Sequence, residues 1–278
     1  MKRIGARAHD FGTCSAQELA ERLKKRGLCC AQLALNKAIA GLALKPGDLN
    51  PGLAWEVGEA FRANGVQIAV LGCYINPVNP DDAQRGELLR FFKDHLRFVG
   101  DMGGSLVGLE TGTPNVDYAP DPNTGSEQTF QALVRSIAEL VETAEAVGAK
   151  VAVEAVTHHT ISTPERMKRL IDEIRSPAMV VIHDPVNLIN AENYQDEARM
   201  IEEPFQLYGD RIAIIHAKDY SVEGGEYRQL ATGLGQLDYG RLCGLIAKDK
   251  PGISVLLEDS GPDTIEGCLA HIDKFWPA

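Results

Sequence analysis

The sequence predicts a single α/β domain closed into a (β/α)₈ TIM barrel. Three observations support this. Short apolar runs recur eight times along 278 residues, amphipathic stretches separate them, and no linker-like segment divides the chain. Several runs, such as 66–72 (VQIAVLG), 179–183 (MVVIH) and 253–258 (ISVLLE), are nearly continuous in Val, Ile and Leu. Such runs suit strands buried on both faces of a parallel sheet, whereas half-exposed strands alternate. A doubly wound open sheet is the competing arrangement. It would bind its ligand beside a glycine-rich first turn, and here the first run leads into ARAHDFGT without a GxGxxG pattern.

Strands are expected at 2–8, 30–34, 66–72, 105–110, 150–155, 179–183, 212–216 and 253–258. Ser15 and Glu18 form a capping-box pattern ahead of LAERLKKRG, and Gly27 stands where that helix stops. The stretch 35–65 has the weakest pattern, with a Pro/Gly/Asn cluster at 46–52 before a helix through EVGEAFRANG. Residues 126–147 carry a helical period that ends at Gly148. Thr163, Pro164 and Glu165 supply an N-cap, a first-turn proline and an early acid for the next helix. Asp238, Asp263 and Thr264 open the last two helices.

Composition narrows the function. Hydrophobic residues make up 44% and charged residues 24%, enough for a large core. A formal net charge of −11 argues against a nucleic-acid partner, because phosphate binding shows as a basic surface. The N-terminus has no apolar stretch behind its basic residues, so no signal peptide is read there. No apolar run approaches the roughly 20 residues that span a bilayer, and no membrane association is expected. Six cysteines without a Cys-x-x-Cys pair point to a reducing cytoplasm and to thiols used as core residues.

The chemistry gathers at the strand ends, where a β/α barrel builds its active site. Those ends carry Arg7, His9 and Asp10; Tyr74 and Asn76; Glu110; Glu154; His183 and Asp184; His216, Lys218 and Asp219; and Glu258 and Asp259. A carboxylate at the end of an apolar run is costly unless it is paired or binds a metal. The last four strands each deliver a ligand-capable side chain at an equivalent place: Glu154, Asp184, His216 and Glu258. Two Glu, one Asp and one His make a hard, oxygen-rich site suited to Mg²⁺ or Mn²⁺, with Co²⁺ or Fe²⁺ as further choices. The plainer alternative is a set of rim residues paired with Lys218 and Arg211.

The segments VAVEAV, VVIHDPVNL, IIHAKD, GLGQLDY and VLLEDS resemble the xylose isomerase-like TIM barrel superfamily of sugar isomerases and epimerases. The resemblance is most specific from residue 150 onward. It implies that Glu154, Asp184, His216 and Glu258 bind one divalent metal, that Glu154 and Glu258 are acid and base, and that Asp184 and His216 mainly hold the ion. The implied substrate is a small polyhydroxylated carbonyl compound, a sugar or sugar phosphate. Proton abstraction beside the carbonyl would lead to epimerisation or isomerisation, and loss of a β-hydroxyl would make the same site an inosose- or dehydroshikimate-type dehydratase. Two positions depart from the ketose 3-epimerases of this superfamily: Asn187 stands where they carry a substrate-binding His, and AKDYSVEGG lacks their Arg.

His9, Glu110, His158, Asn187, Lys218 and Arg228 are the further substrate-binding candidates, each with a structural alternative. Lys218, for example, could simply pair with Asp219. His183 precedes Asp184 and should face the other side of its strand. Two other classes compete: the abasic-site endonucleases of the same barrel, which use several metals and many histidines, and a catalytically silent sugar-binding barrel. Barrels of this kind associate as homodimers or homotetramers, and this is expected here.

Overall fold

The computed structural model describes residues 2–277. Its barrel strands are β1 (Arg3–Arg7), β2 (Cys30–Leu33), β3 (Gln67–Gly72), β4 (Leu106–Glu110), β5 (Lys150–Glu154), β6 (Met179–His183), β7 (Ile212–Ala217) and β10 (Ser254–Leu257). They are all parallel, each beside its predecessor in the barrel, and pairing of Arg3–Ala6 with Ser254–Leu257 closes the ring. All eight sequence-predicted strands are present, trimmed or extended by a residue or two at the ends.

Two apolar layers hold the barrel. Cys30, Val70, Leu106, Ala152, Ile182, Ile214 and Leu256 fill its interior, and a larger cluster lies between strands and surrounding helices. The interior is tight enough to require glycine: a Cβ on Gly5 would collide with the Cys30 carbonyl, and one on Gly108 would come within 2.8 Å of Val70 Cγ1. Five of the six cysteines are buried and all are free thiols.

The helices are α1 (Ala16–Lys25), the short α2 (Leu35–Ala38), α3 (Pro51–Ala63), α4 (Asp82–Phe98), α5 (Glu127–Val147), α6 (Pro164–Ile174), α7 (Glu197–Tyr208), α8 (Tyr239–Asp249) and α9 (Ile265–Phe275). Ser15, Thr163 and Asp238 accept hydrogen bonds from the third residue onward, as N-caps do. Thr264 holds the N-cap position of α9 without a side-chain cap bond. The cluster at 46–52 is not only a breaker. Asn50 caps Leu53 N and Pro51 takes the first helical position, so α3 starts ahead of EVGEAFRANG. Among the described residues no helix is long and apolar enough to cross a membrane.

Beyond the predicted strands, β8 (Asp219–Glu223) and β9 (Glu226–Leu230) form an antiparallel hairpin directly after β7. Its turn is Gly224–Gly225, with φ of 59° and 86°, a conformation that side chains resist. Asp219 is buried and ties down the base. Its Oδ1 accepts from Tyr220 N and Leu237 N and its Oδ2 from Gly233 N.

Candidate metal centre and active site

Strand periodicity places the candidate ligands. Ala152, Ile182, Ile214 and Leu256 point into the barrel, and a residue two positions further on points the same way, one level higher. Those residues are Glu154, Asp184, His216 and Glu258, and all four are buried. Each apolar run thus fills the barrel and then presents one polar group at its mouth. His183, one position out of phase, faces outward and packs edge-on against Phe205 of α7, with ring centroids 5.7 Å apart.

Ligand atoms of Glu154, Asp184 and His216 lie within 4.8 Å of one another. His216 Nδ1 is 3.1 Å from Glu154 Oε1 and 3.4 Å from Glu258 Oε1. Glu258 joins the group from the end of β10, the strand beside β7, and its Oε2 accepts from Lys218 Nζ at 2.9 Å. Lys218 Nζ also lies 3.0 Å from Asp184 Oδ2, as an ion pair without hydrogen-bond alignment, so that buried oxygen keeps its lone pair free. Asp184 Oδ1 is fixed by the backbone N–H groups of Val186 and Asn187. Lys218 therefore pairs with Asp184 and Glu258, and not with Asp219.

These residues fit a divalent ion. Ligands about 2.1 Å from a cation lie roughly 3–3.4 Å apart, which is the spacing around His216 Nδ1. The cluster also concentrates negative charge, which favours a proton or cation within it. Burial alone would lower the His216 pKa, but Glu154, Glu258 and Asp184 raise it to about 9. Burial, only partly offset by Lys218, pushes Asp184 up to about 6. Glu258 is held below the usual carboxylate range because Lys218, His216 and Arg7 outweigh its burial.

Above the cluster lies a cavity of about 410 Å³. His9, Glu110, His158, Asn187 and Lys218 line it. Asn187 does more than line it: its Nδ2 donates to Glu154 Oε1 at 2.8 Å, and its Oδ1 accepts from Gln229 Nε2 at 3.2 Å. Glu110 sits beside Glu154 in the β4–β5 ladder and lies 3.4 Å from His159 Nδ1. Burial, then Glu154 and Glu258, raise Glu110 to about 7. His9 is lowered to about 4 by burial and then by Arg7 and Lys37.

Arg228 is the exception among the predicted substrate contacts. It lies on β9, pairs with Glu226 at 2.7 Å and is 70% exposed. Strand alternation explains this correction: its neighbours Tyr227 and Gln229 turn inward, to Val186 O and Asn187, and Arg228 turns to solvent. Sequence reasoning assigned no substrate role to Lys37, Tyr118 and Gln229, which also line the cavity. Lys37 follows β2 closely, so its strand-end position was a usable signal. Tyr118 and Gln229 reach the cavity through a long loop and the unpredicted hairpin. A second groove, of about 360 Å³ beside exposed Trp55, lies at the start of β3, away from these groups.

The family described as xylose isomerase-like TIM barrel matches residues 21–274. Among curated proteins none matches the chain in sequence. Solved structures share the fold at low identity. A D-psicose 3-epimerase from Clostridium cellulolyticum H10 is 14% identical with a TM-score of 0.72, covering 98% of both chains. The 3-keto-D-glucoside 4-epimerase from E. coli is 17% identical with a TM-score of 0.72, covering 99% of both. The IOLI protein, solved with a bound zinc atom, is 17% identical with a TM-score of 0.67, covering 95% of both.

Proposed function

This chain belongs to the xylose isomerase-like TIM barrel family, and from that premise we propose that it is a metal-dependent isomerase or epimerase of a sugar or a related polyhydroxylated carbonyl compound. One observation supports this most directly: two glutamates from strands three places apart around the barrel meet at His216, 3.1 and 3.4 Å from its Nδ1, at the floor of a polar cavity.

In this reading Glu154, Asp184, His216 and Glu258 hold the ion. A divalent cation bound there would supply Lewis acidity to adjacent substrate oxygens and so acidify the C–H beside the carbonyl. Glu154, oriented by Asn187, takes the proton on one side of the reacting carbon. On the other side Lys218, whose ammonium donates to Glu258 Oε2, is the proton source, and the Glu258–Lys218 pair delivers that proton to the carbon. Asp184 is locked by two backbone N–H groups and serves as an anchor. The position that holds a substrate-binding His in ketose 3-epimerases here holds Asn187, bonded to the base itself, which supports a positioning role.

The ion pair between Lys218 and Glu258 also favours a second reading, a dehydratase, since it places a proton source where a β-hydroxyl could leave. One experiment separates the two. Ketoses, ketose phosphates and inososes are incubated with the Mn²⁺-loaded protein in D₂O and followed by NMR. Deuterium appearing beside the carbonyl is the expected result. Loss of water establishes the dehydratase, and no exchange with any member rules out the isomerase reading for these classes.

A further inference from the structure

The cavity does not end at the carboxylate cluster. It runs on toward the ends of β1 and β2, where Arg7, His9 and Lys37 line it. The cations on its wall differ in one respect. Arg7 pairs with Asp10 and Asp259, and Lys218 pairs with Asp184 and Glu258. Among the described residues, Lys37 has no carboxylate at ion-pair distance. Its backbone is nevertheless fixed, since Thr13 Oγ1 donates to Lys37 O at 2.9 Å. Its ammonium lies 5.2 Å from the centre of the Tyr74 ring, whose hydroxyl is in turn held by Gln32. His9, which lines the same cavity, has a buried Nδ1 with no hydrogen-bond partner. Lys37 is felt at both His9 and Glu110, so its charge acts on the cavity as well as on bulk water.

Lys37 is exposed, so its ammonium is hydrated until a ligand arrives, and a neutral sugar offers it little beyond that water. An anionic group offers the ammonium a charge-assisted partner. Resting on the reading given above, we propose that Lys37 and His9 form an anion subsite, which takes a carboxylate or phosphate carried on the substrate at the end away from the reacting carbons. The subsite then selects among polyhydroxylated substrates by terminal charge, while the carboxylate cluster handles the chemistry.

Calorimetric titration of the Mn²⁺-loaded full chain with a matched set of inert polyols tests this: D-glucitol, D-gluconate and D-glucitol 6-phosphate. At least one anionic member should bind ten-fold or more tightly than glucitol, and whichever does so identifies the anion. Lys37→Ala should abolish that preference and leave glucitol binding unchanged, and Lys37→Arg should keep most of it. The proposal is overturned if neither anion is preferred, whether all three bind alike or none binds, or if Lys37→Ala leaves the preference intact. Deuterium exchange in a protein without anion preference would remove this subsite and leave the isomerase reading standing. Anion preference without exchange would do the reverse.

Discussion

Asp219→Ala should be among the most damaging single changes outside the candidate site. The carboxylate is buried, and it takes three backbone N–H groups at 2.9, 2.9 and 3.0 Å. Hydrogen bonds to a charged acceptor contribute about 1.5–3 kcal/mol each, so three at the low end sum to about 4.5 kcal/mol. Movement of the 219–237 segment toward water would recover some of this, leaving a loss of about 3 kcal/mol. No other group fills the gap, because Gly235 packs so closely on Tyr220 O and Asp219 Oδ1 that even a Cβ would not fit. Urea denaturation followed by circular dichroism measures the loss, and amide exchange over 219–237 reports whether it is local. Asp219→Asn keeps one acceptor and should cost roughly half as much. Less than about 1 kcal/mol for the alanine variant, with no faster exchange in the hairpin, would refute the anchoring role.

Two further outcomes follow from buried charges. Lys218→Met removes an ammonium 3.0 Å from Asp184 Oδ2 and 2.9 Å from Glu258 Oε2, so Mn²⁺ should bind at least about ten-fold tighter, or about 1.4 kcal/mol; unchanged or weaker binding by calorimetry would mean that Lys218 positions the carboxylates. His95 on α4 is buried edge-on against Phe91, and burial lowers its pKa against the raising effect of the Phe91 carbonyl and Asp94. Its folded value is depressed, so its share of stability is complete above the ordinary value of about 6.5 and is lost as pH falls below it. The drop in Tm between pH 7 and pH 5 should therefore be smaller in His95→Leu than in the parent, and parallel drops would refute this.

The barrel was legible because its strands are buried on both faces, which leaves a continuous apolar signature ending in a polar residue. The same period of two that makes Ala152, Ile182, Ile214 and Leu256 interior places Glu154, Asp184, His216 and Glu258 at the mouth. What escaped was set by tertiary docking. Tyr118 reaches the cavity from the 111–126 loop with a positive φ of 61°, which no local pattern announces. The hairpin did leave a signal, Gly224–Gly225 between YSVE and EYRQL, but its short strands are mostly polar and do not match the apolar runs around them. Without the hairpin's alternation, nothing in the sequence turns Arg228 to solvent and Gln229 to the cavity. Asn187 departs from the ketose 3-epimerase pattern in the sequence, but its bond to Glu154 depends on the turn after β6, which spacing does not reveal.

That bond bears on how the two glutamates divide the proposed reaction. They are alike in sequence and in barrel height but not in company. Glu258 has Lys218 at 2.9 Å and Arg7 at 3.7 Å, a cationic setting that favours its ionised form and weakens it as a proton acceptor. Glu154 is held by the neutral amide of Asn187 and by His216 Nδ1, with no arginine or lysine at ion-pair distance among the described residues. A base needs affinity for the proton it takes, and a donor pair needs a proton close by. Lys218 supplies that nearby proton on the Glu258 side, which leaves abstraction to the Glu154 side, where Asn187 fixes the carboxylate. The amide that orients Glu154 is itself held by Gln229, so the aim of the proposed base depends on a hairpin outside the barrel, whose base Asp219 ties down.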